Sequence, residues 1–157
     1  MTSAANANGR PTAPTGAEVY LPDGLLGFEE LKRYVIVEED PSTPFRWLVS
    51  QENPGVMFVI VDPVLIYGTD YVVPLAESDL DVLDLGAEDE YCTWVLVAPA
   101  EGPERFTANL KGPVVLNTRN QVAKQVVVYN PAYALRYPIR MVDTASDRSL
   151  LRAQVYR

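Results

Sequence analysis

Short apolar runs, each cut off by proline, glycine, asparagine or aspartate, set the strongest constraint on what this chain can fold into. Tyr34–Glu38 stops at Asp40-Pro41, Phe45–Gln51 at Asn53-Pro54-Gly55, and Val56–Val61 at Asp62-Pro63. The runs are too short for ordinary helices and are rich in β-branched and aromatic residues, so they read as strands. Further strands are expected at Glu18–Leu21, Tyr71–Val73, Tyr91–Ala98, Arg105–Leu110, Val114–Asn117 and Val122–Tyr129. Phe45, Trp47 and Val49 alternate onto one face, whereas Val56–Val61 is apolar throughout and predicts cover on both sides.

One segment breaks the pattern. In Glu77–Leu85 the leucines Leu80 and Leu83 fall on one side at helical spacing, with Ser78 as the expected N-cap and Gly86 as the expected C-cap. The fold class that follows is all-β: a small antiparallel β-barrel-like domain with one or two short helices. The βαβ alternation of a parallel sheet is missing, and thirteen prolines blunt exposed strand edges. Residues 1–16 are polar, proline-bearing and aperiodic, so they predict a disordered tail. The β-domain is expected over 17–141 and a mobile extension over 142–157, because the strand signal weakens after Tyr133.

Composition narrows the function. The chain has no histidine, which removes Ser-His-Asp and Cys-His catalysis and the two-histidine zinc motifs. Cys92 is the single cysteine, so no intrachain disulfide or multi-cysteine zinc site can form, and in its strand-like run it reads as a small buried hydrophobe. No apolar stretch is long enough for a membrane-spanning helix, and the first sixteen residues lack the basic and apolar regions of a signal peptide. A cytoplasmic binding protein is expected, with no catalytic residues, no metal and no cofactor.

The net charge of −8 hides a split. Residues 1–104 hold four basic and nineteen acidic side chains, and residues 105–157 nine basic and two acidic ones. A field of −15 on the first part favours a basic protein partner and repels nucleic acid. The basic residues of the last third are spaced singly, the pattern of solvated faces pairing with the acidic half rather than of a phosphate cluster.

Among individual residues, Asp62 is the best-placed carboxylate: Pro63 holds it in an extended conformation at the exit of a buried strand. It can cap its own turn or meet a partner. Asp70 and Tyr71 follow shortly after and combine charge with an aromatic anchor, so Asp62, Asp70 and Tyr71 are the first candidates for partner contact. Tyr67, Tyr71, Tyr129, Tyr133 and Tyr137 suit a core as well as an interface. Glu38-Glu39-Asp40 and Glu88-Asp89-Glu90 lack the loop spacing of a calcium site and read as solvated turns.

The ordered segments together resemble the FliW family of bacterial flagellar assembly factors. The likeness runs from Leu21-Pro22-Asp23-Gly24-Leu25-Leu26-Gly27-Phe28-Glu29 through Pro44–Ser50 and Phe58-Val59-Ile60-Val61-Asp62-Pro63. It is strongest at Asn109-Leu110-Lys111-Gly112-Pro113-Val114-Val115-Leu116-Asn117 and continues through Gln125–Val128 and Tyr133–Ile139. Leu26, Val49 and Gly112 depart from the family's usual proline, glutamine and alanine, which touches turn rigidity and local packing. The resemblance implies a small β-barrel-like regulator without catalytic activity. It would bind flagellin before export and, alternatively, the RNA-binding translational repressor CsrA, so that flagellin level controls flagellin translation. Asn109, Lys111 and Asn117, polar residues of the most family-like segment, are second candidates for partner contact; hydrogen bonding around Pro113 would equally account for them. A barrel with blunted edges favours a monomer.

Two other readings compete. A small barrel binding single-stranded RNA would use Arg119, Lys124, Arg136 and Arg140 as a phosphate track, with C-terminal tyrosines stacking bases. An enzyme would pair Asp62 with a glutamate in a deep pocket.

Overall fold

The computed structural model describes residues 4–5, 11–102 and 105–139. Two short strands, β1 (Ala4–Ala5) and β2 (Pro11–Thr12), pair with each other. The remaining strands form one nine-stranded sheet: β3 (Glu18–Tyr20), β4 (Arg33–Val37), β5 (Arg46–Ser50), β6 (Met57–Val61), β7 (Tyr91–Pro99), β8 (Phe106–Ala108), β9 (Val114–Asn117), β10 (Ala123–Gln125) and β11 (Tyr137–Ile139). Every ladder is antiparallel. The order runs β10-β9-β7-β6-β5-β4-β3, with β8 on β7 and β11 on β8. Among the described residues no ladder closes the sheet; its ends meet at one parallel bridge, Tyr20 with Val122, where the Tyr20 N–H donates to Gln121 O at 3.0 Å. The molecule is barrel-like in that sense, and the all-β expectation stands. Among the described residues a one-turn 3₁₀ helix at Pro63–Leu65 and one α-helix, α1 (Glu77–Leu83), complete it.

Strand periodicity builds two cores. Phe45, Trp47, Val59, Val61, Val95, Val97 and Phe106 pack on one side of the sheet, while Leu48, Ile60, Trp94, Leu116 and Cys92 pack on the other. Val59–Val61 are therefore buried on both faces, whereas Val56–Phe58 at the start of the run stay half-buried, and Val49 joins Phe45 and Trp47 as its alternation predicts. Full burial of each such side chain stabilises the fold by roughly 1.5–3 kcal/mol. The long strand β7 ties the two cores together: Tyr91–Trp94 pair with β9, Val95–Val97 with β6, and Val97–Pro99 with β8.

Several local expectations change. Tyr71–Val73 forms no strand, because side chains hold it instead of a ladder: the Tyr133 hydroxyl accepts from the Val72 N–H at 2.6 Å. The strand expected through Tyr129 ends at Gln125. Beyond it the Val126 and Val128 N–H groups still donate to Pro113 O and Lys111 O, but Pro113 has no N–H to return. Strand β11 escaped the sequence pattern because Pro138 interrupts it; it is tolerated where Pro138 lies opposite Thr107. Helix α1 is capped by Ala76, not Ser78, since the Asp79 carboxylate accepts from the Ala76 N–H at 2.9 Å. It ends at Asp84 in the left-handed region (φ 49°), two residues before Gly86.

Residues 11–16, expected to belong to the tail, lie against the sheet. Ala13 is buried in the second core, its carbonyl accepts from the Arg46 guanidinium, and the Gly16 N–H donates to Ile36 O at 2.7 Å. The turn at Pro22-Asp23-Gly24 requires its glycine: Gly24 has φ +67°, and a Cβ there would stand 2.6 Å from Glu29 Cα. The extension expected over 142–157 lies outside the described residues.

Candidate functional site

The first candidate trio divides. Asp62 caps the 3₁₀ turn, its Oδ1 accepting from the Val64 N–H at 3.0 Å. Asp70 is exposed, and its backbone carbonyl accepts from the Tyr133 hydroxyl at 3.3 Å. Tyr71, expected as a surface anchor, is a core residue. Its hydroxyl donates to Leu110 O at 2.7 Å and its ring stacks on Tyr133 at 4.6 Å, with Tyr67 edge-on to both. Burial and the neighbouring Tyr133 push the Tyr71 hydroxyl well above the ordinary tyrosine range, so it stays protonated and donating. Asp62 and Tyr71 do line one cavity of about 360 Å³, together with Val72, Tyr91 and Thr93.

The second trio is mostly architectural. Asn109 Oδ1 accepts from the Lys111 N–H at 3.0 Å, and Lys111 Nζ donates to Asn130 O at 3.3 Å, which fixes the loop leading into Pro113. Asn117 is 0% exposed. Its Nδ2 donates to Leu83 O at 3.0 Å and Asp84 O at 3.2 Å, and its Oδ1 accepts from the Arg119 N–H. The carbonyls at the end of α1 lack helical partners and need such donors. Asn117 is therefore spent inside the fold.

The basic residues proposed as a phosphate track are largely occupied. Arg119 bridges Asp84 and Asp89 at 3.4 and 3.3 Å, and Lys124 pairs with Asp79. Burial pushes the Asp79 carboxyl up, but the Lys124 and Ala76 hydrogen bonds outweigh it and leave that carboxyl below its ordinary value. The Gly86 N–H and Arg119 lower Asp89 likewise. Arg140 lies outside the described residues. Among the described residues no group of three or more acidic or cysteine side chains is arranged to hold a metal. Tyr34 is the one buried side-chain polar group without a hydrogen bond among them; burial and nearby Glu52 push it up to about 12.

Two open grooves stand out among the described residues. The larger, about 950 Å³, is lined by Phe58, Leu96, Ala98, Thr107, Asn109 and Leu135, with Glu101 and Arg136 also facing it. Phe58 and Leu96 are the half-buried margin of the second core, opposite the buried Leu48 and Ile60 in the ladders. Phe28 braces Phe58 edge-on at 5.1 Å. The groove is thus an uncovered end of a core, apolar in floor and polar at its sides, the make-up of a protein-docking site. Of the six candidates only Asn109 stands in it. Arg136 was a candidate only in the RNA-binding reading, and the others lining it were missed, although Phe58 and Leu135 belong to the segments of family likeness. The smaller groove, about 530 Å³, lies between Val72–Ala76 and Val127–Asn130.

The family model described as FliW protein matches residues 4–139. The flagellar assembly factor FliW of Geobacter sulfurreducens is 39% identical over 120 residues, 76% of this chain and 74% of that protein. The flagellar assembly factor FliW of Caldanaerobacter subterraneus subsp. tengcongensis is 34% identical over 122 residues, 77% of this chain and 81% of that one. A crystal structure of the flagellar assembly factor FliW superposes with a TM-score of 0.71 at 27% identity, covering 85% of this chain and 92% of the other. The family match and these relatives each cover at least three quarters of the chain, and the chain belongs to the FliW family of flagellar assembly factors.

Proposed function

We propose that this chain is a cytoplasmic, non-enzymatic regulator of flagellum assembly that binds flagellin and, alternatively, a CsrA-type RNA-binding repressor. Accumulated flagellin occupies it and frees the repressor, which then shuts down flagellin translation; export of flagellin reverses this. The observation that carries the reading is the uncovered core end between Phe58, Leu96 and Leu135, an apolar floor that a folding protein would ordinarily cover. Asn109 beside it, and the exposed Asp70 with Asp62, supply polar contacts; Tyr71, Lys111 and Asn117 serve by holding the loops in place. The acidic surface of residues 1–104 suits a protein that must be basic to hold RNA, and it disfavours the messenger on that protein electrostatically. Antagonism is then a coupling free energy between two negatively charged ligands on one basic protein. The chain acts as a monomer, binding no nucleic acid directly and no cofactor; among the described residues no helix is long and apolar enough to cross a membrane.

Calorimetric titration of the purified chain against flagellin and against the CsrA-type protein of the same cell tests this. Micromolar or tighter binding to both, each weakening the other, is expected. Leu135→Asp is expected to weaken at least one of the two complexes about tenfold or more, the size of a central contact. Binding to neither protein sinks the reading.

A further inference from the structure

An open sheet edge borders the smaller groove. β10 pairs with β9 on one side through Ala123, Lys124 and Gln125, and the Val126 and Val128 N–H groups continue that side by donating to Pro113 O and Lys111 O. Alternation along an extended chain turns the Val127 and Tyr129 N–H groups the other way, towards the groove. Among the described residues neither of these two N–H groups has a backbone acceptor. β3 reaches this side of the sheet only at Val122, through the single bridge to Tyr20. The side chains along the edge are apolar and uncovered: Tyr129 is 86% exposed, Val72 62% and Val127 47%. Proline, charge or a covering element normally blunts such an edge; here no proline falls between Gln121 and Asn130.

We infer that this edge is a second docking surface, which takes an extended, basic protein segment as an added strand. An extended segment answers the outward N–H groups with its own carbonyls and lays alternate apolar side chains on Val72, Val127 and Tyr129. Basic character follows from what flanks it. Helix α1 carries Glu77, Asp79 and Asp81 and no basic residue; Lys124 neutralises Asp79, while Glu77 and Asp81 remain exposed, as does Asp70 at the start of the Val72 segment. Of the two partners proposed above, the one that must hold RNA is the basic one, and the inference rests on that partner reading. The larger groove, built on β6, β7 and β8, is a different surface.

Val127→Pro tests the main-chain contact. It deletes an outward N–H but leaves the Val126 and Val128 donors to Pro113 and Lys111. Val127→Ile keeps the N–H and the apolar side chain. Calorimetry of both variants and the parent against the CsrA-type protein and flagellin is expected to show about a tenfold loss for the CsrA-type protein with Val127→Pro, the cost of one unpaired acceptor. Val127→Ile should stay within about twofold. Amide hydrogen exchange on the parent chain gives a readout independent of the variant's folding: the Val127 and Tyr129 amides should exchange freely alone and become protected in the complex. Parent-like binding by a folded Val127→Pro, or no added protection at either amide, overturns the inference and leaves the partner reading intact. Self-association of the parent that Val127→Pro abolishes also overturns it, by making the occupant a second copy. Binding of the parent to neither protein overturns both.

Discussion

Tyr71 and Asn117 illustrate what a residue's identity leaves undecided. Both are polar, both stand in segments that suit contact with another molecule, and both turn inward. The Tyr71 hydroxyl serves Leu110 O, and the Asn117 amide serves the end of α1. Each partner lies more than thirty residues away in sequence, so no local pattern announces it. Cys92 was legible for the opposite reason: a lone cysteine in an apolar run without histidine has few alternatives to burial. Tyr71→Phe keeps the ring stacked on Tyr133 but leaves the Leu110 carbonyl unpaired. We expect a loss of about 1 kcal/mol in urea denaturation with partner affinity unchanged. A weakened complex at parent-like stability would return Tyr71 to the interface.

At the scale of elements, the strands were legible wherever apolar alternation and a hard stop coincide, as in β4, β5 and β6. The misses have specific causes. Pro113 turns a reciprocal ladder into one-way bonds and so shortens β10, and Pro138 hides β11. Helix α1 begins two residues earlier than a serine cap would place it because Asp79 bonds back to Ala76 while held by Lys124. That carboxyl sits below its ordinary value in the folded chain, so its contribution is fully present above the unfolded value, about 3.9, and fades as pH falls through the folded one. Asp79→Asn should therefore be the less stable chain at neutral pH and lose less stability on acidification below about pH 4. Urea melts of the two chains from pH 7 downwards measure this; parallel curves would show that the Lys124 pair contributes nothing.

The whole molecule carries an acidic first part and a basic last third, and tertiary contacts join them at Arg119 with Asp84 and Asp89, and at Lys124 with Asp79. What remains uncompensated is the field offered to a partner. Raising salt from about 0.05 to 0.5 M should weaken both the complex with the CsrA-type protein and the antagonism towards its messenger, as screening shortens from above 10 Å to a few ångströms. Antagonism undiminished at high salt, with the complex intact, would make the effect steric. By itself the sequence determined the β class, most strand positions, the burial of Val59–Val61 on both faces, the exclusion of histidine chemistry and the family. These follow from local periodicity, from proline and glycine stops, and from composition, each a property of neighbours along the chain. Only the tertiary structure decided which polar groups are spent inside, that the second core ends in a groove at Phe58 and Leu96, and that the edge at Val127 and Tyr129 stays open. Those depend on which strands meet, and in an antiparallel sheet that is set by pairings between residues far apart in sequence.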